Sequence, residues 1–268
     1  MHENAKKDAI DLAYKAGEIM RRYFGIGIKK EWKEDSSPVT EADTTINTLV
    51  LEELRGAYPD DDILSEEGSD RREGAEYAWV CDPLDGTIPF SHGIPTSVFA
   101  LALCKAGDPV LGVLYDPFMD RLFFAEKGKG ATMNNAPVHV SSQKTLTGGL
   151  MNISGMEKVG GLYRVPYDLR SMRVTLADKS IKCITLASTL YGGMLVAGGE
   201  LVAAMFQGTA PHDGAAIKII VDEAGGRMTD ILGNDQKYDR PINGTVVSNG
   251  AVHNELLAII QATLEKKI

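Results

Sequence analysis

A chain of 268 residues, 44% apolar and 24% charged, has the make-up of a globular protein with one large domain or two subdomains. No apolar run reaches membrane-spanning length, because the longest, such as Val98 to Cys104, are strand-sized. The formal charge of −9 argues against a nucleic-acid partner, but not against a small phosphate ester, since divalent cations held among acids would reverse the local sign.

The first residues, Met-His-Glu-Asn-Ala-Lys-Lys-Asp, lack the apolar core of a signal peptide. Cys81, Cys104 and Cys183 are odd in number, widely spaced and set among apolar residues. They read as free thiols in a reducing compartment, so the expectation is a cytoplasmic protein.

Ala5 to Tyr23 carries a helical stripe of Ala9, Leu12, Ala13, Ala16, Ile19, Met20 and Tyr23, stopped by Gly25 and Gly27. Ile28 to Trp32 reads as a short edge strand, and Glu34 to Pro38 as a polar loop. Thr40-Glu-Ala-Asp43 opens a second helix in the manner of a capping box, with Ile46, Leu49, Val50 and Leu54 on one face. Ile63-Leu64 is a short strand running into Ser65-Glu66-Glu67-Gly68, and Trp79-Val-Cys81 is another running into Asp82-Pro-Leu-Asp-Gly-Thr87. Antiparallel strands follow at Ser97 to Cys104, Val110 to Tyr115, Arg121 to Glu126 and Ala131 to Met133, with turns at Gly107-Asp-Pro109 and Asn134-Asn135.

From about residue 145 the texture changes. Strand-like runs (Leu150 to Ile153, Ile181 to Leu186, Leu201 to Phe206, Thr245 to Ser248) alternate with helical ones at Thr189 to Ala197, His212 to Ala224 and Ala251 to Lys266. The chain therefore reads as an α+β subdomain, residues 1–145, followed by an α/β subdomain, residues 146–268. Gly155 to Tyr167 is a plausible junction.

Asp43, Glu66, the Asp82/Asp85 pair and Asp213 each have an ordinary explanation as a helix-start or turn acid. Three of the four groups, however, fall where a strand ends or a helix begins, the places where sites cluster in mixed sheets. Carboxylates with no His or Cys among them are hard oxygen ligands suited to Mg²⁺ or Mn²⁺ rather than to zinc.

On Pro38-Val-Thr-Glu-Ala-Asp43, Glu66-Glu67, Trp79-Val-Cys-Asp-Pro-Leu-Asp-Gly-Thr-Ile-Pro-Phe90, Glu126-Lys-Gly-Lys-Gly130 and Asp213 followed by Glu223-Ala-Gly-Gly226, the chain resembles the inositol monophosphatase family of lithium-sensitive, magnesium-dependent phosphatases. The resemblance implies a layered αβαβα sandwich, like the inositol monophosphatase and fructose-1,6-bisphosphatase fold. It implies that Glu66, Asp82 and the carbonyl of Leu84 hold one Mg²⁺, and that Asp82, Asp85 and Asp213 hold a second. A third, weaker ion would lie near Glu66, with Glu67 in its outer shell. Gly86 and Thr87 would cradle the phosphate by their amides, Asp43 and Thr87 would activate the attacking water, and Ser188 would lie on the substrate-facing loop. The expected substrate is a small phosphorylated metabolite, with no nucleic-acid or membrane partner, and the expected assembly is a homodimer.

The chain departs from the family's pattern in three places. Ile88-Pro89 precede Phe90 where a polar residue is usual, His212 replaces an aromatic before the last ligand, and Phe206 stands where inositol-recognising members often have an acid. These leave fructose-1,6-bisphosphate, histidinol phosphate or a 3′-phosphonucleotide as alternative substrates. They also motivate a second reading, a catalytically weakened protein that binds metal and phosphate.

Overall fold

The computed structural model describes residues 2–25, 28–32, 38–154 and 169–263. The proposed junction at Gly155 to Tyr167 lies outside the described residues, as do Glu34 to Ser37 and the last three residues of the helix expected to end at Lys266.

The first part of the chain runs α1 (Ala5–Tyr23), β1 (Lys30–Trp32), β2 (Pro38–Thr40), α2 (Glu41–Ala57), β3 (Asp62–Ser65), β4 (Tyr77–Asp85) and α3 (Thr87–Ser91). It continues through β5 (Val98–Lys105), β6 (Asp108–Asp116), β7 (Arg121–Glu126), β8 (Ala131–Met133) and β9 (Ala136–Pro137). Strands β3 to β9 form one sheet in sequence order. All its pairs are antiparallel, as expected for the strands from Ser97 to Met133, except β3 with β4, which is parallel. The Asn134-Asn135 turn has both residues at positive φ, 49° and 66°, which asparagine tolerates and a tight hairpin requires.

The second part runs β10 (Leu150–Ile153), α4 (Leu169–Asp178), β11 (Lys182–Ile184), α5 (Thr189–Ala197), β12 (Ala203–Phe206), α6 (Ala215–Glu223), β13 (Arg227–Thr229), β14 (Thr245–Ser248) and α7 (His253–Thr263). Its sheet has the order β11-β10-β12-β14-β13, with β11, β10 and β12 parallel and the other two pairings antiparallel. Helix α4 and strand β13 are elements the sequence pattern did not disclose. The helix expected from His212 starts at Ala215, after a 3-10 turn at Pro211–Asp213.

Three apolar cores stack these elements into five layers. Leu12, Met20, Ile46 and Leu54 of α1 and α2 cover one face of the first sheet, against Trp79, Leu101, Val113 and Tyr115. The opposite face, with Val80, Ala102, Leu114 and Phe123, packs on α5 and α6, whose other neighbours are Ala204, Phe206 and Val247 of the second sheet. Met151, Met205 and Val246 face outward from that sheet onto α4 and α7. Neighbours on β12 alternate between the inner and outer cores, as the two-residue period of a strand demands. The result is the α–β–α–β–α sandwich. Helix α5 is apolar almost all round because the layers cover it on both sides.

Candidate active site

Two aspartates three residues apart on a regular strand would face opposite ways. Strand β4 avoids this with a bulge. Between the pairs Asp82↔Ala100 and Asp85↔Val98 it advances three residues while β5 advances two. The extra residue restores both carboxylates to one side, and Pro83, with no N–H to leave unpaired, sits inside the irregular step. Leu84 is thereby released from the ladder. Its N–H goes to Asp82 Oδ1 at 3.0 Å, and its carbonyl accepts from Thr87 Oγ1 at 3.2 Å.

Gly86 makes the turn from β4 into α3 at φ 87°, a left-handed conformation that favours glycine. A Cβ there would lie 2.9 Å from the Thr96 carbonyl oxygen and 3.0 Å from Ser188 Cβ. The turn places Thr87 so that its hydroxyl also reaches Asp43 Oδ1 at 3.2 Å, although the two residues are far apart in sequence. The other oxygen of Asp43 accepts from Thr40 N at 2.8 Å and Thr40 Oγ1 at 2.5 Å. The cap of α2 and the contact with Thr87 thus use different oxygens of one buried carboxylate.

Glu66 follows the parallel strand β3, and its amide donates to the Cys81 carbonyl at 3.3 Å, beside Asp82. Asp213 comes from the other sheet's side, on the 3-10 turn that packs against β3 and β4, and Ala210 N holds its Oδ2 at 2.9 Å. Gly208 lets the chain pass this carboxylate: a Cβ there would be 2.4 Å from Asp213 Cγ.

Asp85 is held by three donors. Ser188 Oγ donates to its Oδ2, Leu190 N reaches the same oxygen at 2.7 Å, and Thr189 N reaches Oδ1 at 3.0 Å. Asp85 therefore caps the first turn of α5, where free amides and the helix dipole favour an anion. Ser188, expected on the substrate-facing loop, is 2% exposed and commits its hydroxyl to this carboxylate. The amides of Thr189 and Leu190 were missed in the sequence reading. A serine directly before an apolar helical run is an N-cap signal that could have revealed them.

Burial and mutual repulsion dominate the electrostatics. Asp82 is pushed well above the usual carboxylate range by burial, and then by Glu66, Asp85, Asp213 and Asp43. Asp43 is raised to about 6 by burial, which outweighs its two bonds from Thr40. Burial raises Asp85 and Asp213 as well, with His212 beside Asp213 pulling the other way. Among the described residues, no Lys or Arg pairs with Asp82 or Asp85.

As they stand, no three acid, His or Cys side chains among the described residues are drawn around one point closely enough to hold an ion. The donor chemistry still fits a hard divalent cation: carboxylates and a freed carbonyl, in a buried setting of concentrated negative charge.

Two of the departures from the family's pattern have a structural setting. Phe206 is 1% exposed and lies in the core between the sheets, so it lines no substrate surface. Pro89 is accommodated inside α3: the bond from Phe90 N to the Gly86 carbonyl, 3.0 Å, survives, and Pro89's own carbonyl accepts from His92 N and Ile94 N. Glu126 to Gly130 and Glu223, separate motifs in the sequence, meet in space. Glu223 accepts from Gly128 N at 2.7 Å and Gly130 N at 2.8 Å.

A model of the inositol monophosphatase family matches residues 2–265. A histidinol-phosphatase of Chlorobaculum parvum is 34% identical, the alignment covering 94% of this chain and 95% of that protein. An inositol-1-monophosphatase of Mesorhizobium japonicum is 31% identical, covering 96% of each. The solved Thermotoga maritima IMPase superposes with a TM-score of 0.84 at 28% identity over 96% of both chains. The chain belongs to the inositol monophosphatase family, and it is a phosphoric monoester hydrolase.

Proposed function

We propose that this chain hydrolyses a small phosphate monoester with Mg²⁺ held by Glu66, Asp82, the Leu84 carbonyl, Asp85 and Asp213. The observation that carries the reading is the bulge of β4, which turns both aspartates to one side and frees the Leu84 carbonyl beside Thr87. Bound there, the cations would neutralise phosphate charge and make an attacking water more acidic.

The protein's own groups supply the rest. Asp43 Oδ1 accepts from Thr87 Oγ1, so the threonine hydroxyl can take a proton from the water as it passes its own to the carboxylate. Burial lifts Asp43 to about 6, which makes it a stronger base than an exposed aspartate while leaving it mostly ionised at neutral pH. Gly86 and Thr87 hold the phosphate by their amides at the start of α3. Glu67 would act in the outer shell of an ion held at Glu66.

Two or three ions per site, activity with Mn²⁺, inhibition by lithium, a cytoplasmic location and a homodimer belong to the same proposal. No helix among the described residues is long and apolar enough to cross a membrane. Relatives named for histidinol phosphate and for inositol phosphate match at similar identity, so the substrate is a question for assay. Phosphate release is to be measured from inositol, histidinol, fructose-1,6-bis- and 3′-nucleotide phosphates, with and without Mg²⁺. The expected result is metal-dependent release from one class, and absence of release from all of them overturns the proposal.

A further inference from the structure

The first turn of α5 is tied to the first sheet twice. One tie is Asp85, already described. The other is Tyr191, whose N–H donates to the cap Ser188 Oγ at 3.3 Å and whose buried hydroxyl reaches in the opposite direction. That hydroxyl donates to Asp116 Oδ2 at 3.0 Å and accepts from Arg121 Nη2 at 2.7 Å. Asp116 ends β6, Arg121 opens β7, and the two are themselves paired at 3.0 Å.

Asp116 has no solvent exposure, and its other oxygen accepts from Phe118 N at 2.9 Å and Met119 N at 3.1 Å. The guanidinium of Arg121 lies 5.6 Å from the Tyr191 ring centre and 3.9 Å from Glu200, while its Nε is buried without a hydrogen-bond partner. Leaving that donor unmade is unfavourable, so the group is held for what Nη2 does.

Helix α5 otherwise sits in apolar packing between two sheets, which is non-directional and does not by itself define how far the helix slides or rotates. Hydrogen bonds do define it, because they weaken steeply with distance and angle. The three donors on Asp85 all come from the turn that Tyr191 anchors.

We propose that Tyr191, through the Asp116–Arg121 pair, is a positioning residue: it fixes the first turn of α5 and thereby aims the Asp85 carboxylate at the cation. This rests on Asp85 being a metal ligand. Partners that orient a ligand carry much of a metal site's affinity, and their loss costs about 10–100-fold.

The test is Mn²⁺ binding without substrate, with free Mn²⁺ read by electron paramagnetic resonance. Four variants are compared with the parent chain: Tyr191→Phe, Arg121→Gln, Asp85→Asn, and Thr229→Val as a control that removes a buried hydrogen bond to His253. Expected is a loss of affinity on the order of tenfold for Tyr191→Phe and in the same direction for Arg121→Gln. Thr229→Val should melt earlier but bind Mn²⁺ as the parent does. In turnover, the Mg²⁺ concentration for half-maximal rate should rise for Tyr191→Phe while KM for substrate at saturating Mg²⁺ stays put.

Parent-like Mn²⁺ binding by Tyr191→Phe, with binding lost in Asp85→Asn, overturns the positioning role alone. Undiminished binding by Asp85→Asn overturns the ligand assignment and the inference with it. Equal weakening by Thr229→Val reduces the effect to lost stability and also overturns the inference. If Tyr191→Phe does not fold, Arg121→Gln, which removes the hydrogen bond that the Tyr191 hydroxyl accepts, takes its place, and parent-like Mn²⁺ binding by that variant overturns the inference.

Discussion

The molecule buries polar groups in two ways. At the end of β4, Asp82 and Asp85 sit among other acids, and burial together with Glu66, Asp85, Asp213 and Asp43 raises the pKa of Asp82. At the start of α7, His253 is fully buried yet has a partner at each ring nitrogen, both from strands of the second sheet, Ser248 Oγ at 2.9 Å and Thr229 Oγ1 at 3.0 Å. The histidine is satisfied by its own fold and kept neutral, its pKa lowered to about 4 by burial and by Arg227 and Lys218. The aspartates hold a charge that the protein concentrates without pairing it to a Lys or Arg. His253 is completed from within, whereas the negative charge around Asp82 has no cationic side chain among the described residues, and on the proposed function a cation supplies that partner.

The strongest test of this contrast is Asp82→Asn. It should cut phosphate release on the order of a thousandfold and yet raise the melting temperature of the metal-free protein, because it removes a charge whose burial is unfavourable. Differential scanning calorimetry with chelator present checks the second half, and a lower melting temperature would remove Asp82 from the ligand class. Thr87→Val should lower kcat about a hundredfold, as expected for loss of a positioned proton relay. Thr87→Ser should recover most of the rate.

The two regions should also answer pH with opposite sign. His253 has a folded pKa below its unfolded value, so its contribution is complete above about 6.5 and declines as pH falls towards 4, by up to about 3 kcal/mol. Asp43, raised to about 6, does the reverse: the metal-free fold gains stability as pH drops from 7 towards the ordinary aspartate range. Urea denaturation of His253→Gln across pH 4–7 should show the acid-side decline flattened. The smallest effect is expected for Pro89→Asn. Since α3 already forms around the buried proline, the rate should change less than about threefold, the scale of one weak hydrogen bond.

Much of this contrast was legible in the chain itself. Asp43, Glu66, Asp82, Asp85 and Asp213 stood out because acids directly beside apolar runs are unusual, and α5 was legible as a helical run from Thr189 to Ala197. The bulge was not legible, since nothing in Asp-Pro-Leu-Asp says that β5 advances two residues against three. Helix α4 escaped notice because its buried side chains, Met172 and Leu176, make a sparse stripe and Val174 is exposed. The burial of Phe206 was not legible either, because distance along the chain from Asp213 does not say which face of β12 a residue takes. Tyr191, Asp116 and Arg121 left no mark at all: their meeting depends on how two layers stack.

The irregular step at Pro83 makes chain length, and not only side-chain identity, a variable of the site. Deleting that one residue would leave Asp-Leu-Asp on an even strand, with both acids still on the same side. The Leu84 carbonyl, however, would return to pairing with β5 and be withdrawn from Thr87. A shortened loop-free version of the motif would thus keep its carboxylates and lose its carbonyl, separating by a single deletion two contributions that no point substitution can uncouple.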